Sequence, residues 1–173
     1  MTPQTPEQPG RPRLLDLFCC QGGASSGYAR TNAQKIRGNE HPDFIQATRA
    51  AFELIGKPYV IENVPGSPVR PDIELCGAMF SLRTYRHRLF ESNVPLAAPT
   101  HRAHQARTTK MGRRPVDGEF MHVVGNFSGV QAAREAMDMP WATRDGLREA
   151  IPPAYTEHIG AQLIAHLAAE VAA

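Results

Sequence analysis

Four stretches of the 173-residue chain carry residue types that do chemistry at useful spacing. The first is Gln21-Gly22-Gly23-Ala24-Ser25-Ser26-Gly27, a turn of small residues behind the apolar run Leu14-Leu15-Asp16-Leu17-Phe18. Such a turn lets backbone N–H groups approach a ligand closely and aims a helix N-terminus at it. The second is Glu62, a carboxyl ending the apolar run Tyr59-Val60-Ile61, where partial desolvation raises a pKa toward the range useful for proton transfer. The third is Arg86-His87-Arg88, whose planar guanidiniums can hold phosphate or carbonyl oxygens bidentately. The fourth is a basic stretch, and it emerges only when charge is counted by segment.

Overall the chain has 19 Lys+Arg against 17 Asp+Glu, close to neutral. Residues 83–114 hold eight bases (Arg83, Arg86, Arg88, Arg102, Arg107, Lys110, Arg113, Arg114) and the single acid Glu91. A local excess of +7 is the footprint that phosphate backbones select, so residues 91–120 are expected to form a short target-recognition region that meets double-stranded DNA. His101 and His104 in the same stretch have neither a cysteine nor a third ligand at metal-binding spacing, and no metal is expected. Cys19, Cys20 and Cys76 make no disulfide framework, which suits a reducing cytoplasm, and packing is the role expected of each. No apolar run approaches the length needed to span a bilayer, so no membrane partner is expected; the polar, Pro-rich residues 1–12 read as a disordered leader rather than an export signal.

The elements that must position these groups follow from periodicity. Residues 14–18 read as a strand leading into the glycine turn. Residues 43–55 follow helical spacing, with Phe44, Ile45, Thr48, Phe52 and Ile55 on one side and Gly56 as the stop. Tyr59 to Val64 is a strand closed by Pro65-Gly66, and a further short strand is expected near Arg88-Leu89-Phe90. After the basic loop and His122-Val123-Val124-Gly125, residues 129–139 look helical, Thr143 caps a short helix through Ala150, and Pro152-Pro153 opens a last helix. There Ile159, Leu163 and Leu167 recur every four residues and are expected in the core. Strands alternating with helices imply an α/β layer architecture on a largely parallel sheet.

Taken together, the motifs resemble those of the DNA cytosine carbon-5 methyltransferases, small phage or bacterial type. Asp16 to Tyr28 is similar to that family's cofactor loop, Glu62-Asn63-Val64 to its Glu-Asn-Val motif, Arg86-His87-Arg88 to its Arg-x-Arg motif, and Ile151 to Leu163 to its terminal Pro-Pro…Ile-Gly helix. They occur in family order, the matching blocks covering roughly residues 14–30, 39–96 and 140–168. The resemblance implies a Rossmann-like domain made of residues 13–90 and 121–173. It implies S-adenosylmethionine bound by Phe18, Cys19, Cys20, Gln21, Gly22, Gly23, Tyr155 and Thr156, leaving S-adenosylhomocysteine as product. Glu62 would hold a flipped cytosine, with Arg86 and Arg88 supporting it, and Arg102, Arg107, Lys110, Arg113 and Arg114 would contact DNA.

Two family features are missing at one address. The nucleophilic cysteine of the family lies in a Pro-Cys-Gln loop between the cofactor loop and Glu-Asn-Val, yet residues 24–61 contain no cysteine. An acidic residue to hold ribose hydroxyls is expected about 20 residues past the glycine turn, and Arg37 to Asp43 has no strand before it to present one. A block absent between Arg30 and Thr31 accounts for both gaps, either as an internal deletion or as a stretch omitted from the sequence as written. The expectation is a methyltransferase, or a truncated relative that binds DNA without methylating it. A sheet stripped of interior strands would expose apolar helix faces, which a dimer could cover.

Overall fold

A computed structural model of the protein describes residues 44–172. The leader, the glycine turn with Phe18 to Gly23, and the Arg30 to Thr31 junction lie outside the described residues. In chain order the elements are α1 (Phe44–Ile55), β1 (Val60–Asn63), β2 (Ile73–Leu75), a 3-10 turn (Gly77–Phe80), β3 (Arg88–Ser92), α2 (Val130–Met137), α3 (Arg144–Glu149) and α4 (Pro153–Ala172).

The sheet overturns the expected architecture. Its order is β1-β3-β2 and both pairings are antiparallel, so it is not the mostly parallel sheet of a Rossmann-like domain. The reason lies in the connections: parallel neighbours need a crossover of a dozen or more residues, usually an α-helix. From Asn63 to Arg88 the described residues hold no α-helix, only the 3-10 turn, and β3 returns between two strands that run the other way. Strand β2 escapes sequence reading because three residues are too few to display alternation. His122 to Gly125 is irregular, and the parallel pairing seen nearby is a single bridge, Thr108 to Phe120.

Register decides which side chains share a face. Glu62 lies opposite Phe90, which also lies opposite Ile73, and Leu75 lies opposite Arg88. Alternation therefore turns Glu62, Arg88, Phe90, Ile73 and Leu75 to one side, where Phe90, Ile73 and Leu75 pack with Tyr155 and Ile159 of α4. The other side carries Ile61 and Leu89, which pack with Ile45 and Phe52 of α1, Tyr59 and Val69. A third apolar cluster, built from Met121, Val123, Phe127, α2 and Leu147 of α3, has no strand in it.

Local signals placed the helices well. Gly56, at φ +64°, ends α1 and donates its N–H to Phe52 O at 3.1 Å, the left-handed stop that glycine adopts without strain. Thr143 Oγ1 accepts the Gly146 N–H at 3.1 Å and caps α3 as expected. The faces differ from expectation. In α1 the inward stripe is Ile45, Thr48, Arg49 and Phe52, while Phe44 and Ile55 are exposed. In α4 Ile159 is buried but Leu163 and Leu167 are only half-buried, and Ile164 and Val171 are open to solvent. No helix among the described residues is long and apolar enough to cross a membrane.

Candidate active site on the α4 face of the sheet

Glu62 and Arg88 enter from adjacent strands as diagonal neighbours on one face, within reach of long side chains. Arg88 Nε lies 2.7 Å from Glu62 Oε1, and both atoms are shielded from water. The separation is that of an ion pair, but the N–H is not aimed at the oxygen, so neither atom has a well-aligned hydrogen bond. Arg88 instead donates from Nη1 to the His87 carbonyl at 2.8 Å. Burial pushes the Glu62 carboxyl above its ordinary range, and the neighbouring Arg88 and Arg86 only partly oppose it. Burial likewise lowers Arg88 against the pull of Glu62. Desolvation outweighs attraction for both partners, as expected of a buried pair whose hydrogen bonding is incomplete. About a quarter of the Glu62 side chain (27%) remains open, against 7% for Arg88, so the carboxyl is the accessible member.

Arg86 holds this arrangement from behind. Its buried guanidinium donates to three backbone carbonyls: Nε to Ala150 at 2.6 Å, Nη1 to Val123 at 2.5 Å and Nη2 to Arg148 at 2.8 Å. Its own carbonyl accepts the Tyr155 hydroxyl at 2.9 Å. Arg86 thereby ties the approach to β3 to the end of α3, the irregular 121–127 segment and α4. The planar fork spreads its donors over three nitrogens, so it can meet three carbonyls that belong to separate segments. Its φ of +26° is uncommon for a non-glycine residue and persists because these contacts over-determine it. With its donors so engaged, Arg86 holds backbone segments together. Tyr155, expected at the cofactor, is fully buried in the core, and Thr156 is exposed, donating its hydroxyl to Pro153 O at 2.9 Å.

The DNA-contact candidates Arg102, Arg107, Lys110, Arg113 and Arg114 are all solvent-exposed. Of these, Arg113 is paired with Glu119 at 2.5 Å. Their loop is tacked to the sheet's approach at two places: Tyr85 Oη donates to Ala106 O at 2.9 Å, and the Met121 N–H donates to Arg83 O at 2.6 Å. Of the three remaining bases of the counted run, Arg83 is exposed, whereas Arg86 and Arg88 are buried and belong to the sheet and its approach rather than to this surface.

Two arrangements were not legible in the sequence. Glu91, the one acid of the basic run, is fully buried on the α1 face, where Arg49 binds it through Nε at 2.5 Å and Nη2 at 2.7 Å, and the Arg70 N–H donates to it at 2.9 Å. These bonds hold its carboxyl below the ordinary range. Second, His101 and His104 acquire the company that the sequence did not show: Cys76 Sγ and His87 Nε2 lie 3.5 Å and 3.3 Å from His104 Nε2. Cys76 itself is buried and its thiol pushed up, the opposite of what an activated nucleophile needs.

No family model, curated protein or solved structure matches the chain.

Proposed function

We propose that the protein is a DNA cytosine carbon-5 methyltransferase in which Glu62 holds a cytosine turned out of the duplex. The observation that carries this reading is the meeting of three separated motifs: Glu62 and Arg88 at 2.7 Å, and Tyr155 bonded to the Arg86 carbonyl at 2.9 Å. A carboxyl raised by burial retains its proton further toward neutrality, which suits a group that hydrogen-bonds a ring nitrogen and shares a proton with it. Arg88 would face a carbonyl or phosphate oxygen of the same nucleotide once the ligand draws its misaligned N–H outward. S-adenosylmethionine would supply the methyl group; of the residues assigned to it in the sequence, Phe18 to Gly23 lie outside the described residues, Tyr155 is buried in the core and Thr156 is exposed. The exposed bases Arg102, Arg107, Lys110 and Arg114 would neutralise DNA phosphates.

A second reading, DNA binding without methyl transfer, is favoured by one observation: residues 24–61 lack a cysteine, and buried Cys76 is poorly placed to substitute. Transfer of labelled methyl from S-adenosylmethionine to duplex DNA separates the two. Methylation that falls about 100-fold or more in Glu62→Gln supports the enzyme. DNA binding that weakens by a log-log salt slope of roughly 0.9 per phosphate contact, with no methylation, supports the second reading. Absence of both rejects both.

A further inference from the structure

His104 Nε2 lies 3.5 Å from Cys76 Sγ, 3.3 Å from His87 Nε2 and 3.0 Å from His101 Nε2. One ring nitrogen carries either a single proton or a single lone pair, so hydrogen bonding cannot account for three neighbours converging on it. A cation at their centre can. Tetrahedral zinc, with bonds of about 2.0–2.1 Å to nitrogen and 2.3 Å to sulfur, sets its ligand atoms about 3.3 Å apart for two nitrogens and about 3.6 Å apart for sulfur and nitrogen. The spacings around His104 fall at or just inside those values, and all four donor atoms lie within 4.8 Å of one another.

The surroundings fit the same reading. His87 Nδ1 lies 2.5 Å from Glu74 Oε1. With its proton on Nδ1 and donated to Glu74, His87 presents the Nε2 lone pair to the cluster, the arrangement in which a carboxylate orients a metal-binding imidazole. Tyr85 stacks on the His104 ring, with centroids 3.5 Å apart, and fixes its plane. A thiolate and the Glu74 carboxylate together balance a divalent charge.

We propose that Cys76, His87, His101 and His104 bind one zinc ion. Four protein donors leave no open position, so the ion is structural. Cys76 directly follows β2 and His87 directly precedes β3, whereas His101 and His104 belong to the basic loop. The ion therefore fastens that loop, which has no helix or strand between Asn93 and Arg107, to the edge of the sheet. Closing a long flexible segment is where such a clip contributes most.

The test uses the untagged full chain, since a histidine tag would add ligands of its own. After gel filtration with zinc supplied during expression, elemental analysis is expected to find about one zinc per chain, and a chromophoric chelator to release it slowly. His101→Ala and His104→Ala change exposed residues, so circular dichroism should show a retained fold while zinc is lost. Glu74→Gln should weaken zinc about tenfold with the ligand set intact. Cobalt loading should give the visible bands of a tetrahedral site and a near-ultraviolet thiolate charge-transfer band, the latter absent in Cys76→Ser. Substoichiometric zinc and no tetrahedral cobalt spectrum in the unaltered chain would overturn the proposal. So would zinc retained undiminished in both histidine variants, which would mean that the metal sits elsewhere.

Discussion

Two carboxylates project from opposite faces of one small sheet, each beside an arginine, and they behave in opposite ways. Glu91 faces α1 and receives two aligned guanidinium bonds and a backbone N–H, so its carboxyl is held low. Glu62 faces α4 with Arg88 Nε at 2.7 Å, a contact that burial outweighs, and its carboxyl is held high. Glu91 is held low by its hydrogen bonds, foremost those from Arg49, whereas desolvation outweighs the neighbouring arginines at Glu62. The contrast teaches that Glu91 closes a structural contact, whereas Glu62 is the less satisfied and more accessible of the two carboxyls.

Removing the cation from the satisfied side should have the largest effect. Arg49→Ala leaves Glu91 buried without its partner and is expected to lower unfolding free energy by about 3 kcal/mol in denaturant titration. A loss below about 1 kcal/mol, the range of a surface pair, would erase the contrast. Next comes the turn that carries the chain from β2 toward Arg86. A Cβ at Gly77 would stand 2.2 Å from the Thr84 carbonyl oxygen, so Gly77→Ala should cost about 2 kcal/mol. If the turn also sets the Glu62–Arg88 geometry, methyl transfer falls by more than the unfolded fraction explains. On the unsatisfied side, Glu62→Gln should change stability by less than about 1 kcal/mol, since it removes a charge that burial already penalises.

The smallest effect is on pH dependence, and its sign differs between the faces. Glu91 is lowered from a reference of 4.5, so its stabilisation is present above that value and lost as pH falls through the folded pKa. Glu62 is raised from the same reference, so its contribution is present below 4.5 and lost as pH rises through the folded pKa. Glu91→Gln should therefore flatten the acid limb of the stability profile. Glu62→Gln should instead lift the profile on its higher-pH side. Matching shifts in both variants would refute the distinction.

The helices were legible because their signals are local: Gly56 and Thr143 mark their ends within a turn of the residues they serve. Sheet polarity was not, because it depends on where β3 inserts, and nothing within Arg88 to Ser92 encodes its neighbours. Glu62, Arg86, Arg88 and Tyr155 were picked out by resemblance, and they do come together; their division of labour was not visible. Arg86 and Arg88 read alike in sequence, yet one binds three carbonyls and the other faces a carboxyl. Glu91 was noticed as the one acid of the basic run, but its pairing was not, because its partner lies 42 residues away. Cys76 and His87 stand 28 and 17 residues before His104, intervals that match no familiar ligand pattern, so their convergence is a property of the fold.

The tacks at Tyr85–Ala106 and Arg83–Met121 have a corollary for loop length. Between them the chain makes an excursion whose root is fixed and whose Gly112 is held in turn by the Asn126 carbonyl and the Ser128 hydroxyl. Changes in length are therefore best tolerated near Gly118, where an added Cβ meets nothing, and least at Gly112, whose N–H and carbonyl are both engaged.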